Sequence, residues 1–311
     1  MREDFGGIPI KDEYIPRYTV NYNRENNNSN KKNTKKKKKK SKKKTLKKLI
    51  WLLLMLFFLS MTVISAIKLI NWGVDNKKTE EIVEEINNEI EVIEKEDDEE
   101  TILVEEVPEE EPSDYWYYIK FPLIDVDIAS LKQKNSDTVG WINVNNTNIN
   151  YPYVQREDNS FYLNHSYDKS YNDAGWVFMD YRNDSNLNNK NTILYAHSRL
   201  DKTMFGSLSK TLHASWHANK DNHIIRISTE TENTLWQIFS VYKIEEESYY
   251  ITTDFSSDED YTNFLNTLAG RSLYNFNTSL TSDTKILTLS TCYSETERTV
   301  VHAKLIKRSP K

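Results

Sequence analysis

The chain of 311 residues contains a single cysteine, Cys292, which ends the apolar and β-branched run "KILTLSTC". A lone cysteine has no internal disulfide partner, so it is a small buried hydrophobe, an intermolecular link or a nucleophile. A nucleophile needs a cationic neighbour, because an unperturbed thiol with a pKa of about 8.5 is mostly protonated at neutral pH. Acyl transfer also needs a hydrogen-bond donor for the oxyanion that forms. The types and positions of other residues therefore indicate which of the three roles Cys292 has.

One arginine and two histidines are candidates for these groups. Arg298 follows Cys292 across the short turn "CYSETER", and antiparallel pairing of the flanking runs would bring the two residues together. A surface ion pair between Arg298 and a nearby glutamate explains the spacing equally well. His197 ends the strand-like "NTILYAH" before the polar turn "SRLD", which predicts a position at the rim of a sheet. His302 shares a strand face with Arg298 by period-two alternation, so it is a rival base.

The other four histidines lie in polar segments, where we expect solvent exposure; they are His165, His213, His217 and His223. None of the histidines combines with Cys292 in the spacing of a zinc site, so we predict neither a metal nor a cofactor. From the residues alone, a Cys–His enzyme is favoured over a structural cysteine, which stays open as the alternative.

The N-terminal third of the chain predicts a membrane anchor. The formal net charge of −6 combines a lysine-rich N-terminus with an acidic stretch further on. We predict a disordered, Lys-rich cytoplasmic tail over residues 1–48 and a transmembrane signal-anchor helix over residues 49–72, since a bilayer core requires about 20 apolar residues. A cleaved signal peptide is the alternative, but its apolar run is shorter. The lysines are expected to contact anionic headgroups of the plasma membrane rather than nucleic acid.

The positive-inside rule places the N-terminus in the cytoplasm and everything after residue 72 outside the cell, in a single-pass arrangement. Residues 73–113 form an acidic extracellular stalk, in which isoleucines recur at helical spacing from Ile82 to Ile93. A short amphipathic helix or coiled coil and a solvated spacer both fit this pattern. Residues 114–311 are of ordinary size for one catalytic domain. Its many short β-branched and aromatic runs, with few helical patterns, predict a mainly β (α+β) barrel or sandwich.

Three separated segments resemble sortases, the membrane-anchored cysteine transpeptidases of Gram-positive bacteria. They are "TLSTC" with the arginine and "VVHAKL" after it, "ILYAHSRLDKTMFGSL", and the stretch from "VGWINV" to "FMDYRND", which is similar to class B sortases in particular. The likeness extends over nearly all of residues 125–307. It implies an eight-stranded sortase-type β-barrel with added helices, preceded by a single transmembrane helix.

The resemblance also implies the roles of the site residues. It makes Cys292 the nucleophile, His197 the proton donor to the leaving amine, and Arg298 the group that holds the substrate and the oxyanion. Five further residues match groove or substrate-contact positions of the family, although ordinary packing is the alternative for each: Tyr195, Ser290, Tyr293, Asn159 and Leu163.

The partners that the resemblance implies are secreted proteins with a C-terminal sorting motif and an amine of a peptidoglycan precursor. Cys292 would attack the carbonyl of the threonine in the motif, and the amine would resolve the thioacyl-enzyme. A pilin-polymerising sortase would use a pilin lysine instead, and a cysteine protease would use water. Outside this class, an inactive membrane-tethered binding module would leave Cys292 no more reactive than a free thiol.

Overall fold

The computed structural model describes residues 33–105, 114–292 and 297–311, with side chains from residue 42 onward except that of Cys292. Two compact units divide the chain, the first ending at Ala66 and the second running from Ile67 to Lys311. Helix α1 (Asn33–Glu89) begins in the first unit and ends in the second. Within the described residues, one helical segment, Lys42–Glu89, is long and apolar enough to cross a membrane. This finding supports anchoring in a membrane, as the apolar run predicts.

The second unit is built on a closed barrel of eight strands, which are β4 (Thr138–Val144), β5 (Asn150–Val154), β6 (Phe178–Met179), β7 (Asn191–His197), β8 (Ile224–Thr229), β9 (Glu232–Glu245), β10 (Ile286–Cys292) and β11 (Glu297–Pro310). Their order around the barrel is β10-β7-β6-β5-β4-β8-β9-β11, with β11 pairing back to β10. Most neighbours are antiparallel, but β7 runs parallel to β10 and β5 parallel to β6. The short β2 (Ile102–Leu103) extends the sheet at β11, and β1 (Val92–Lys95) pairs separately with β3 (Leu123–Val126).

The remaining elements of this unit are short or lie outside the barrel: β1 (Val92–Lys95), β2 (Ile102–Leu103), α2 (Asp114–Tyr118), β3 (Leu123–Val126), α3 (Ile128–Lys134), α4 (Ala214–His217) and α5 (Asp258–Gly270). Short 3-10 helices connect several of them, including Phe161–Leu163 and Tyr249–Ile251 beside the site described below. The predicted mainly β barrel with added helices is thus confirmed.

Helix α5 shows how the sequence fixes one of these elements. Ser257 caps its N-terminus by accepting a hydrogen bond from the Asp260 N–H, and three acidic residues in the first turn suit the positive end of the helix dipole. Its apolar face is fully buried against the barrel, at Tyr261, Phe264, Leu265 and Leu268.

The last turns of α1 pack on the barrel unit. Ile86 and Ile90 belong to its main hydrophobic core, and Thr79 is buried with its hydroxyl near the Asn172 amide. The helical spacing of the isoleucines therefore marks a face that contacts the chain's own domain up to Ile90, whereas Ile93 in β1 is half exposed. The boundaries of tail, span, stalk and domain remain a prediction.

Candidate active site

Three neighbouring strands, β7, β10 and β11, carry the predicted catalytic positions. Cys292, the last residue of β10, is the register partner of His197, the last residue of the parallel strand β7. On the other side of β10, Ser290 pairs with Val300 of the antiparallel β11. Arg298 lies two residues before Val300 in β11. Residues that pair across neighbouring strands lie about 5 Å apart, so the backbone places positions 197 and 292 side by side.

A groove of about 510 Å³ is lined by residues of all three strands. Six of the residues predicted for catalysis or substrate binding line it: Asn159, Leu163, Tyr195, His197, Ser290 and Arg298. Tyr293 lies outside the described residues. A larger cavity of about 780 Å³, next to Ile90 and Lys134, contains none of the predicted site residues. Chemistry rather than size therefore identifies the groove as the candidate site.

His197 is oriented by the main chain of the segment after β5. Its Nε2–H donates to the carbonyl oxygen of Leu163 at 2.6 Å, because a carbonyl can only accept. Gly175 makes this arrangement possible: it has a positive φ of 61°, and a Cβ there would lie 2.9 Å from the Leu163 oxygen and 3.1 Å from Cδ2 of His197. Since Nε2 donates to the carbonyl, a proton transferred during acyl transfer would be carried by Nδ1.

Arg298 also lines the groove. Its side chain is 16% exposed, and Nη2 donates to Glu246 Oε2 at 2.6 Å. Glu297, one of the neighbours with which a surface pair was conceivable, instead pairs with Lys243. The Glu246 side chain is 69% exposed, so solvent screens this ion pair and it holds the guanidinium only weakly.

A buried carboxylate that sequence reasoning missed contacts two residues of the groove lining, Tyr195 and Asn159. Asp180 has no solvent exposure and accepts hydrogen bonds from Arg182, Tyr195 and Asn159. Burial raises the pKa of Asp180, but the hydrogen bonds and the charge of Arg182 outweigh it and hold this pKa below its ordinary value. The only sequence signal is the Asp-x-Arg spacing directly after an apolar run, which is also common at exposed turns.

His302, the rival base, lies in the core rather than in the groove. It is fully buried. The Thr288 hydroxyl donates its proton to Asn191 Oδ1, so it accepts from Nδ1–H of His302 at 2.9 Å. Nε2 of His302 accepts from the Tyr242 hydroxyl at 2.8 Å. Burial lowers the pKa of His302 to about 3, so the ring is neutral. Its hydrogen bonds to core residues indicate a structural role.

The expected exposure of the other histidines is wrong for His223. Its side chain is buried, with Nε2–H donating to the His217 carbonyl and Nδ1 accepting from the Tyr118 hydroxyl. Burial lowers the pKa of His223 to about 4. Among the residues with described side chains, no group of three or more His, Cys, Asp or Glu is placed to hold a metal ion.

Comparison with known proteins identifies the family. The family model for the sortase domain matches residues 142–306, more than half of the chain. The chain belongs to the sortase family. Sortase B of Staphylococcus aureus is 41% identical over 184 residues, covering 58% of this chain and 75% of that protein, and sortase B of Listeria monocytogenes is 34% identical over 190 residues with the same coverage. These relatives confirm the class B resemblance, so this sortase is a cysteine transpeptidase.

Solved sortase structures share the fold. Sortase B from Bacillus anthracis in complex with AAEK2 is 36% identical, and the match covers 76% of this chain and 98% of that chain with a TM-score of 0.60. The Staphylococcus aureus sortase B–substrate complex is 38% identical, with 58% and 84% coverage and a TM-score of 0.55. Both likenesses agree with the closed eight-stranded barrel seen in this sortase.

Proposed function

We propose that this sortase cleaves a C-terminal sorting motif of secreted proteins after threonine and transfers the new carboxyl end to an amine of cell-wall peptidoglycan. The observation that carries the proposal is the pairing of positions 197 and 292 at the ends of β7 and β10, together with the groove that His197 and Arg298 both line. The relatives of known class and the Staphylococcus aureus substrate complex support a peptide as the occupant.

In the first step, the Cys292 thiolate attacks the threonine carbonyl and forms a C–S bond. The carbonyl electrons move to the oxygen, and Arg298 donates hydrogen bonds to this oxyanion as a charge-assisted donor. The tetrahedral intermediate collapses when the C–N bond breaks, and His197 gives a proton to the leaving amine from Nδ1. His197 acts here as the imidazolium: its Nε2–H stays bonded to the Leu163 carbonyl, and the Nδ1 proton is the one that is given up.

In the second step, the acceptor amine attacks the thioester carbonyl and its proton passes to His197. The thiolate leaves, so that an amide is formed and the thiolate–imidazolium pair is restored. Water would give hydrolysis by the same route.

The test is a chromatographic assay of full-length protein with candidate sorting peptides, with and without a peptidoglycan-type amine or a pilin-type lysine peptide. We expect an amide product that requires the peptidoglycan-type amine. His197→Ala and Arg298→Ala should each lower kcat/KM by about 100-fold or more, because each removes a group that acts in the transition state. His213→Ala is the matched control, since this histidine is exposed and outside the groove.

Three outcomes separate this proposal from its alternatives. Product only with the lysine peptide would indicate pilin polymerisation, and release of free acid in the presence of either amine would indicate a protease. A chain that consumes no peptide of the panel, while remaining folded, would point to a binding module. Normal turnover in either catalytic variant would refute the role assigned to that residue.

A further inference from the structure

The 165–173 loop, which lies between β5 and β6, is joined to α1 by hydrogen bonds. Asn172 has no solvent exposure, and its Nδ2 donates to the Asp75 carbonyl oxygen and to Thr79 Oγ1, both at 3.2 Å. The Asp173 N–H donates to Asp75 Oδ2 at 3.4 Å. Because the acceptors lie on two successive turns of one helix and the amide between them is buried, the loop is fixed on α1 at the level of these turns.

Tyr171, directly before Asn172, presents an exposed aromatic ring from this loop. It is 64% exposed, more than any other tyrosine whose side chain the structure describes. The ring is nevertheless held in place. Its main chain forms an antiparallel bridge with His165, whose ring it meets edge-on with the centroids 6.0 Å apart, and its hydroxyl donates to Asp173 Oδ1 at 2.6 Å. A fixed aromatic ring with a polar tip is the type of side chain favoured where apolar and aqueous surroundings meet.

The level of this loop along α1 coincides with the end of the apolar run. The run predicted to span the membrane ends at Trp72, and tryptophan is enriched at the membrane–water interface. Asp75 follows three residues later in the same helix, which is about 4.5 Å along the helix axis. The headgroup layer is about 5 to 8 Å deep on each side of the hydrocarbon core. Tilting of the helix only reduces the height of Asp75 above Trp72, so a span that ends at Trp72 places Asp75 and the loop bonded to it within this layer.

The charged groups of the loop have partners, which lowers the cost of bringing them to a lipid surface. Asp168 pairs with Lys78 at 3.1 Å, and Lys169 pairs with Asp137 at 3.0 Å. The carboxylate of Asp173 accepts the hydrogen bond from the tyrosine hydroxyl. The exposed ring is thus surrounded by charges that are already neutralised within the protein.

We propose that the 165–173 loop is a second membrane contact of this sortase, with the Tyr171 ring inserted in the headgroup layer of the bilayer that the apolar run is predicted to span. The partner is the lipid surface itself. The inference goes beyond the proposed function, because it requires no substrate and holds whatever peptide or amine the groove binds. Its consequence is that two attachments, the helix and the loop, hold the barrel at the bilayer, in contrast to a barrel that moves freely on a solvated spacer.

The experiment places an environment-sensitive fluorophore at position 171 of the full-length chain. Cys292 is the only cysteine, so Tyr171→Cys in the Cys292→Ala background takes a single nitrobenzoxadiazole label. The labelled protein is reconstituted in vesicles of phosphatidylcholine and phosphatidylglycerol, with and without lipids that carry a nitroxide on the headgroup. We expect blue-shifted emission that the nitroxide lipids quench. Since these lipids are present in both leaflets, the result does not depend on the direction in which the protein inserts.

Two further labelled positions calibrate the measurement. Ile70→Cys lies in the apolar run and should be quenched. Tyr249→Cys replaces another exposed tyrosine, whose ring packs on Phe264 of α5 and whose hydroxyl donates to Thr267, and it should report an aqueous environment. Quenching at position 171 should exceed that at position 249 by about 3-fold or more. Thermal unfolding checks that each labelled variant is folded, as expected for the replacement of an exposed side chain.

Two results would overturn the inference. A blue shift at position 171 without quenching by the nitroxide lipids would show that a protein surface, such as a second copy of this chain, covers the ring. Emission and quenching equal to those at position 249 would show that the loop lies in water. Neither result bears on the proposed function, because peptide turnover is measured separately on the chain that retains Cys292.

Discussion

The orientation of His197 depends on the carbonyl of Leu163 and on a glycine that lets this carbonyl approach the ring. Leu163 was predicted to contact substrate because of its position in the family pattern. In the structure its main-chain carbonyl accepts the hydrogen bond from His197 Nε2. Such a contact cannot be predicted from the sequence, because any residue type supplies a carbonyl. Gly175 could be predicted only as a turn, since the sequence shows a glycine but not what its missing Cβ makes room for.

Gly175→Ala tests this arrangement. A Cβ at this position would lie 2.6 Å from the Tyr162 carbonyl oxygen and 2.9 Å from that of Leu163, and alanine disfavours the positive φ. We expect the Leu163 carbonyl to shift and kcat to fall by about 10-fold or more, with a smaller change in KM. Gly270→Ala is the control, because a Cβ there meets nothing within 4 Å. Unchanged kcat in Gly175→Ala, measured by single-turnover kinetics, would contradict the role of this contact.

His302 provides a prediction about stability and pH. Its pKa is about 3 in the fold and about 6.5 in the unfolded chain, so the unfolded state binds more protons at acid pH. The stability from keeping this ring neutral is complete above pH 6.5 and is lost as pH falls toward 3. Protonation of one such histidine in the unfolded chain lowers the free energy of unfolding by about 2 kcal/mol between pH 7 and pH 5. His223, with a pKa of about 4, acts in the same direction.

The measurement is urea unfolding at pH 7 and pH 5. His302→Gln should flatten the loss of stability between these values relative to the unmodified chain, whereas the exposed His213→Gln should follow the unmodified chain. A pH dependence that His302→Gln leaves unchanged would show that this ring does not titrate as its burial requires.

At the scale of elements, ion pairs join the segment before the barrel to the last strand, β11. Lys307 and Lys304 are almost fully buried in β11 although they carry charge. Lys307 Nζ pairs with Asp97 at 2.5 Å and Lys304 Nζ pairs with Glu105 at 2.5 Å. The acidic residues that predicted a stalk therefore include the partners of buried cations. The sequence did not reveal this, because a lysine in a strand pattern and an acid in an acidic run both suggest solvent exposure.

Removing residues 67–113 from the fragment 67–311 should therefore destabilise the barrel. The shorter fragment loses Ile86 and Ile90 from the core and leaves the Lys307 and Lys304 ammonium groups without their carboxylates. We expect the free energy of unfolding to fall by about 3 kcal/mol or more, of which the half-exposed carboxylates contribute the smaller part. Equal urea midpoints for the two fragments would refute this packing.

Elements whose pattern is set by their own side chains can be predicted from the sequence. The buried face of α5 and the strands that carry His197 and Cys292 follow from apolar spacing and from β-branched runs. The order of strands in the barrel does not follow from spacing, because pairing between β7 and β10 joins segments about ninety residues apart. The family resemblance, not periodicity, supplied that part of the fold.

At the scale of the whole molecule, the single cysteine makes the predicted orientation testable. The lysines before the apolar run predict that the N-terminus is cytoplasmic and the barrel extracellular. In intact cells, a membrane-impermeant thiol reagent should label the unmodified chain at Cys292 and leave Cys292→Ala unlabelled. The control places the only thiol on the other side: Ser41→Cys in the Cys292→Ala background should react only after permeabilisation. Labelling of Ser41→Cys in intact cells would reverse the orientation.

The most direct measurement is intact-protein mass spectrometry of the full-length chain after brief incubation with a sorting peptide in the absence of amine. The proposed chemistry predicts a mass increase equal to the peptide fragment that ends in threonine less one water, located on Cys292 by proteolytic mapping, absent in Cys292→Ala and discharged when the amine is added. A folded chain that consumes the peptide without an adduct on Cys292, or that carries the adduct on another residue, would contradict it.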